Sequence, residues 1–492
     1  MEMCKEKMKI GNYIVILLLL LSCVYLSKNY MEYSSYFNIG NKALSVYGLT
    51  SVAILGIAIL LVLVLYYKIH AFLALIIGSI MVGIGTGMDF KSIVSAIQNG
   101  MGSTLGSVAT IVGLGAIFGE MLEASGGAQA LSKQLLKTFG REKASWALML
   151  TGFIVAIPVF FDVGFIILIP LVYSLAKESK KSALYYGIPL LAGLAVTHTF
   201  IPPTPGPVAV AAIIGADLGW VIFLGAVVGL PTAIISGPIW GSIIGKKIYV
   251  NPEDFIKEDE IKTTKIPSFK KVMLVIAIPL VMILLNTVST TLVGSGILEK
   301  NILTDFMEFL GNPFIALTIA TLIAFYTLGI KEGFSKEMIL NLSNKAFGPI
   351  GLVILVTGAG GIFKQILVDS GIGTLLANTM ANSKLPIIVL AFVVAGIVRV
   401  SQGSATVAMI TAAGIVAPIL DVIPVSSPGK ALIVISIASG STILSHVNDS
   451  GFWLVGRYFG LDVKDTFRSW TVMETLVGGF GFIFAFILSF IL

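Results

Sequence analysis

The chain has 492 residues, of which 56% are hydrophobic and only 12% charged, and its mean hydropathy is +0.98. Charged groups are too few to cover a water-exposed surface, which excludes a soluble protein. The net charge of +6 does not mark a nucleic-acid binder, because Lys and Arg sit in short loops between apolar runs, as topology signals do at a membrane surface.

Nothing in the chain points to a cofactor or a metal. Cys4 and Cys23 have no metal-ligand spacing, His70, His198 and His446 are far apart, and there is no GxxxxGK[ST] phosphate loop. An enzyme is the least favoured class, and energy for transport must come from an ion gradient or a partner subunit.

In chain order, Lys5, Lys7 and Lys9 precede an apolar run from Ile14 to Leu26. It could be a signal peptide, but we read it as an uncleaved first helix with its N-terminus in the cytoplasm. Further runs near the ~20 residues that cross a ~30 Å hydrocarbon core fall at about 45–67, 69–87, 103–122, 219–244, 271–292, 312–330, 347–369 and 469–492. Four stretches are interrupted by Pro, Gly or polar residues: 144–177 with PVFFDVGF, 183–216 with THTFIPPTPGP, 385–420 with VRVSQGSATVA and 431–460 with SHVNDSGFW. Such interruptions predict broken helices or re-entrant hairpins.

GLGAIFGEMLEASG, from Gly113, reappears as GAGGIFKQILVDSG, from Gly358, at a constant offset of 245 residues. His198 and His446 stand 248 apart, beside two of the breaks. After the first copy come Lys133, Lys137, Arg141 and Lys143, but after the second only Lys384; before the copies the bias is reversed, with Lys91 against Lys331, Lys336 and Lys345. The copies therefore cross in opposite directions.

The same reasoning makes 144–177 a re-entrant hairpin from the cytoplasm and 385–420 one from outside. The expected fold is an all-α polytopic membrane protein of eleven spans and two hairpins, with its C-terminus outside. An extra N-terminal helix and external loop (1–44) precede two inverted repeats of about five spans, 45–244 and 271–492, joined by a cytoplasmic linker, 245–270.

Such repeats place a substrate site near the midplane, where helix N-termini offer free N–H groups and positive dipole ends to an anion. Asp162 suits a proton or cation site, or an N-cap of the hairpin helix. Arg399 suits a carboxylate ligand, or an internal ion pair with an acidic residue of another helix. Ser401, Gln402, Ser404 and Thr406 follow it and could bind hydroxyl groups or satisfy backbone at the hairpin tip. His198 and His446 suit a proton relay, or could satisfy carbonyls freed at the breaks. Thr197, Thr199 and Thr204 accompany the first; Asn448, Asp449 and Ser450 accompany the second. The proton-coupling candidates are Asp162, His198, His446 and Asp449.

PVFFDVGF, THTFIPPTPGP followed by GADLGW, and SHVNDSGFW with DTFRSWTVMET downstream resemble the signature stretches of the gluconate permease family, the gluconate:proton symporters of bacterial inner membranes. The likeness runs from about Val46 to the C-terminus. It implies membership of the wider ion transporter superfamily, proton-coupled uptake of gluconate or a related small carboxylate, a homodimer, and elevator-like motion in the inner membrane. Thr204 stands where gluconate-type members commonly carry His, so the resemblance implies a substrate class rather than one substrate. The competing readings are a sodium/proton antiporter of the same superfamily, a symporter for another small organic or amino acid, and a passive channel or sensor.

Overall fold

A computed structural model describes residues 46–251, 266–375, 378, 385–447 and 449–492. The expected first helix and residues 252–265 of the linker lie outside the described residues. Within them, each run expected to span is helical, and there are no strands. Helix α1 is Val46–Leu65, α2 is Ala71–Gly85, and α3 is Phe90–Ala124. Among the described residues, seven helical stretches are long and apolar enough to cross a membrane: Phe90–Ala124, Ala183–Ile214, Leu218–Lys247, Phe269–Gly294, Pro313–Glu332, Lys336–Asp369 and Val463–Leu488. Along Phe269–Gly294 the exposed side chains Leu274, Val281, Leu285 and Val288 recur at helical spacing. An exposed apolar stripe of this kind fits contact with lipid or with another protein.

Two helices occupy segments read in the sequence as loops. Helix α4, Gly127–Phe139, follows the first glycine-rich copy, and Ile302–Gly311 precedes the span at Pro313. The first buries Ala128, Leu131 and Leu135 on one face, an amphipathic pattern too weakly apolar to register as a span. Ile302–Gly311 begins with a capping box between Asn301 and Thr304.

The breaks come next. Helix α5, Ala144–Val155, is separated from α6, Phe161–Ser179, by Pro158 and its neighbours. Twelve residues reach about 18 Å at ~1.5 Å per residue, short of a full crossing. Helix α7, Ala183–Phe200, gives way at Ile201–Thr204 to α8, Pro205–Ile214. All of α7 is buried except Tyr185 and His198. It packs on α5 backbone to backbone: a Cβ on Gly193 would lie 2.1 Å from the Met149 carbonyl oxygen, and one on Gly152 2.4 Å from that of Leu190.

The chain from Leu218 to Lys247 contains a π-helical turn, Ile235–Ile239. Beyond it, Ser182, the N-cap of α7, ties down the exit through bonds to Ile248 O (2.8 Å) and from Val250 N (3.1 Å). In the second half, α9 is Lys336–Asp369, α10 Ile387–Gln402, α11 Ala405–Leu420, α12 Ser427–Gly440, α13 Ser450–Phe459 and α14 Val472–Leu488. A π-helical turn, Phe467–Thr471, leads into α14.

The two glycine-rich copies end alike. Each closes one of the two longest helices, α3 and α9, and each is followed by a left-handed glycine, Gly126 and Gly371, both at φ +77°. Ser125 and Ser370 each donate to the carbonyl three residues back. Glu120 in the first copy pairs with Lys345 at 2.7 Å, while Gln365 at the matching place of the second donates to Asp369 at 2.8 Å.

By contacts the chain divides into two units. Among the described residues, one comprises 46–106, 355–375, 378, 385–387 and 410–425; within it, α1 and α2 bury Ile59, Leu63, Ala74 and Met81 together. The other comprises 107–251, 266–354, 388–409, 426–447 and 449–492, and it contains α5 to α8, α12, α13 and α14.

Candidate substrate cavity

Three helices, α6, α11 and α13, have their starts in the second unit, and the sequence breaks the chain just before each. Pro158 lacks an N–H and cannot continue α5, and Phe160 is extended (φ −62°, ψ 147°) before α6 starts. Phe160 is the N-cap of α6, and an aromatic ring accepts no bond from the first N–H groups, so these carry no side-chain cap. Asp162 therefore lies in the first turn rather than at the cap, where its charge still complements the helix dipole.

At the second break Gly403 takes φ +85°, a left-handed conformation that ends α10, and its N–H donates to Arg399 O at 2.9 Å. At the third, Asp449 is the N-cap of α13 and accepts from Gly451 N at 3.1 Å.

Arg399 links the last two breaks. It is 2% exposed, its Nη2 lies 2.5 Å from Asp449 Oδ2, and its Nη1 donates to Gly403 O. The guanidinium fork thus braces the starts of α11 and α13 with two bonds in fixed geometry. Asp449 Oδ2 also accepts from Ser445 Oγ, which in turn accepts from Trp470 Nε1 at 2.7 Å, while Thr471 Oγ1 donates to Ser445 O. The π-helical turn that carries Trp470 and Thr471 is a common device at functional sites.

These elements enclose a cavity of about 380 Å³. Phe161 and Asp162 of α6, Gly403, Ser404, Ala405 and Thr406 at the start of α11, and Asp449, Ser450 and Gly451 at the start of α13 line it. The remaining wall is Ala195, His198 and Thr199 of α7, Phe160, Arg399, Thr442, Trp470 and Glu474. The rings of Phe161 and Trp470 lie 5.6 Å apart. Three helix N-termini and one guanidinium face three carboxylates, an arrangement able to hold an anion together with a compensating cation or proton.

Of the residues singled out in the sequence, Asp162, His198, Arg399, Ser404, Thr406, Asp449 and Ser450 come together here. Others do not line the cavity. Thr197 is buried without a bond to its hydroxyl, Thr204 donates to Ile201 O (2.7 Å), and His446 Nε2 sits 2.8 Å from Val400 O. The side chains of Ser401 and Gln402, and Asn448 as a whole, lie outside the described residues.

Glu474 was missed in the sequence. It is 4% exposed, and its Oε1 has no hydrogen-bond partner among the described residues. The signal was present, since Glu474 is the sole charged residue between Ser469 and Leu492, and an ionisable group within a span is functional by default.

The described residues form a multi-span helical protein with broken helices around a polar, ionisable cavity, and solved structures of similar fold include a transporter and an efflux pump. The Alcanivorax borkumensis YdaH transporter matches with a TM-score of 0.58 at 13% identity, over 97% of this chain and 98% of that one. MtrF of Neisseria gonorrhoeae matches at 0.57 and 12%, over 97% and 95%. The chain belongs to the GntP family of permeases, whose family model matches residues 48–491.

Similar in sequence are the gluconate permease of Pseudomonas aeruginosa, 41% identical over 89% of this chain and 97% of that protein, and the Gnt-II system L-idonate transporter of Escherichia coli K12, 39% identical over 87% and 95%. The low-affinity gluconate transporter of the same strain is 39% identical over the same shares.

Proposed function

We propose that the chain is a proton-coupled symporter that takes up gluconate or a related small sugar acid across the bacterial inner membrane. The observation that carries this reading is the meeting of three helix N-termini and Arg399 on a cavity of about 380 Å³. Relatives named for gluconate and L-idonate support a six-carbon sugar acid as cargo. The N-termini bind the carboxylate, and the hydroxyls of Ser404, Thr406 and Ser450 bind the sugar hydroxyl groups. Coupling follows from charge. Asp162, Asp449 and Glu474 outnumber Arg399, so an incoming anion must bring a proton to be tolerated in a site of low dielectric.

The reading includes the two inverted repeats, 45–244 and 271–492, with hairpins at 144–177 and 385–420. It is supported by the constant-offset copies ending in matching left-handed glycines. The cavity lining falls within one unit that draws on both halves of the chain; this supports elevator-like motion of that unit within a homodimer.

Two outcomes test this. Calorimetry on purified protein should show a sugar acid binding more tightly than its neutral lactone by roughly ten- to hundredfold, the worth of a charge-assisted hydrogen bond of about 1.5–3 kcal/mol. Equal affinity would refute anion recognition. For topology, single cysteines at Lys137 and Asn382 of a cysteine-free chain should label from opposite faces of intact cells. Labelling from one face would sink the inverted repeat.

A further inference from the structure

Three carboxylates line the cavity, and they differ in surroundings. Asp162 is exposed. Asp449 is held by Arg399, Ser445 and the Gly451 N–H. Glu474, in the first turn of α14, is 4% exposed with a buried oxygen, Oε1, that has no partner among the described residues. An ionised carboxylate with a bare buried oxygen is costly, and a protonated one much less so. Such a position suits a group whose charge changes as the site fills.

We infer that Glu474 is the group that takes on and releases the coupling proton during transport. The inference rests on the proton-symport reading above and names its carrier.

Charge arithmetic over the cavity favours it. The groups facing Glu474 from the other elements are Asp162 of α6, His198 of α7, Arg399 of α10 and Asp449 at the start of α13. With His198 neutral, the fixed charges sum to −1, from two aspartates and one arginine. Three helix N-termini add roughly +0.5 each. A bound carboxylate then leaves about −0.5 if Glu474 is neutral and about −1.5 if it is ionised, on the same scale. Anion binding and protonation of Glu474 therefore favour each other, and by linkage each raises the affinity for the other equally. On one side a hydronium O–H bond breaks as the Glu474 O–H bond forms, and on the other the Glu474 O–H bond breaks as a hydronium O–H bond forms.

The position also reaches the rest of the site. Three residues before Glu474, Thr471 holds Ser445, which holds Asp449 and through it Arg399.

The test compares Glu474→Gln with Glu474→Asp in proteoliposomes, using gluconate as substrate. E474Q should lose accumulation driven by an imposed pH gradient to a far greater extent than it loses gluconate counterflow, and its gluconate affinity should lose its pH dependence. E474D keeps an ionisable group and should retain pH-driven accumulation. Accumulation by E474Q at the wild-type level would overturn the inference, as would loss of accumulation by E474D with counterflow intact. If E474Q does not fold, substrate-induced infrared difference spectra of the wild type decide the matter. A protonated-carboxyl band should grow as gluconate binds and should shift in E474D; a spectrum without the band, or a band unchanged in E474D, overturns the assignment. Failure of wild-type protein to couple gluconate uptake to the pH gradient would instead sink the symport reading itself.

Discussion

Arg399→Ala is expected to abolish binding of the sugar acid and to destabilise the permease by about 3–5 kcal/mol, the cost of removing one partner of a buried ion pair. Arg399 is 2% exposed and the Asp449 side chain 14%, so the carboxylate left behind has little access to water. Gly403 O loses its donor too, which loosens the start of α11 together with that of α13.

Arg399→Lys should rescue little. One ammonium cannot reproduce the two-pronged contact to Gly403 and Asp449. Asp449→Asn keeps a competent N-cap for α13 but strands the guanidinium. The double variant R399A/D449N should therefore be more stable than the two single losses added together, since it removes both unpaired charges. Unfolding midpoints in detergent and calorimetric binding measure both effects. Wild-type midpoints in R399A would show that the brace has no energetic role.

The second large effect is expected at Gly119→Ala, a residue that does not line the cavity. A Cβ there would sit 1.9 Å from the Pro158 carbonyl oxygen and 3.0 Å from its carbon. The neighbour is backbone, so no side chain can swing away. The chain at Pro158 must shift, and Phe160 to Asp162 shift with it, because they follow immediately and begin α6.

Overpacking of this kind costs about 1–3 kcal/mol. The functional loss should exceed the stability loss, since the displaced segment sets the depth and direction of one helix N-terminus. Gly102→Ala is the control on the same helix, with no described atom within 4 Å of the added Cβ. It should be neutral or stabilise by up to about 1 kcal/mol, as alanine normally does for glycine in a helix. Uptake by G119A equal to that by G102A would show that the α3 contact does not position the break.

The sequence by itself determined the membrane class, the apolar helical runs within the described residues, and the sites of helix interruption. These are local properties. Apolar length sets whether a segment crosses lipid, and Pro158, Pro202, Pro203 and Gly403 remove or redirect backbone hydrogen bonds wherever they stand. The recurrence of GLGAIFG as GAGGIFK, and the signature stretches that mark the GntP family, were equally legible, because they are patterns of identity and spacing.

Tertiary structure decided which polar side chains meet. Helices such as α7, buried on nearly every face, carry no amphipathic signal to say which way His198 or Thr197 points. His198 reached the cavity wall, while Thr197 and His446 did not. The partner of Arg399 lies fifty residues away in the chain, and Glu474 is brought beside it from near the C-terminus. Both juxtapositions depend on how whole helices pack, and no local periodicity records that. The helices at Gly127–Phe139 and Ile302–Gly311 were read as loops for a related reason: only contact with neighbouring elements makes segments so short stable as helices.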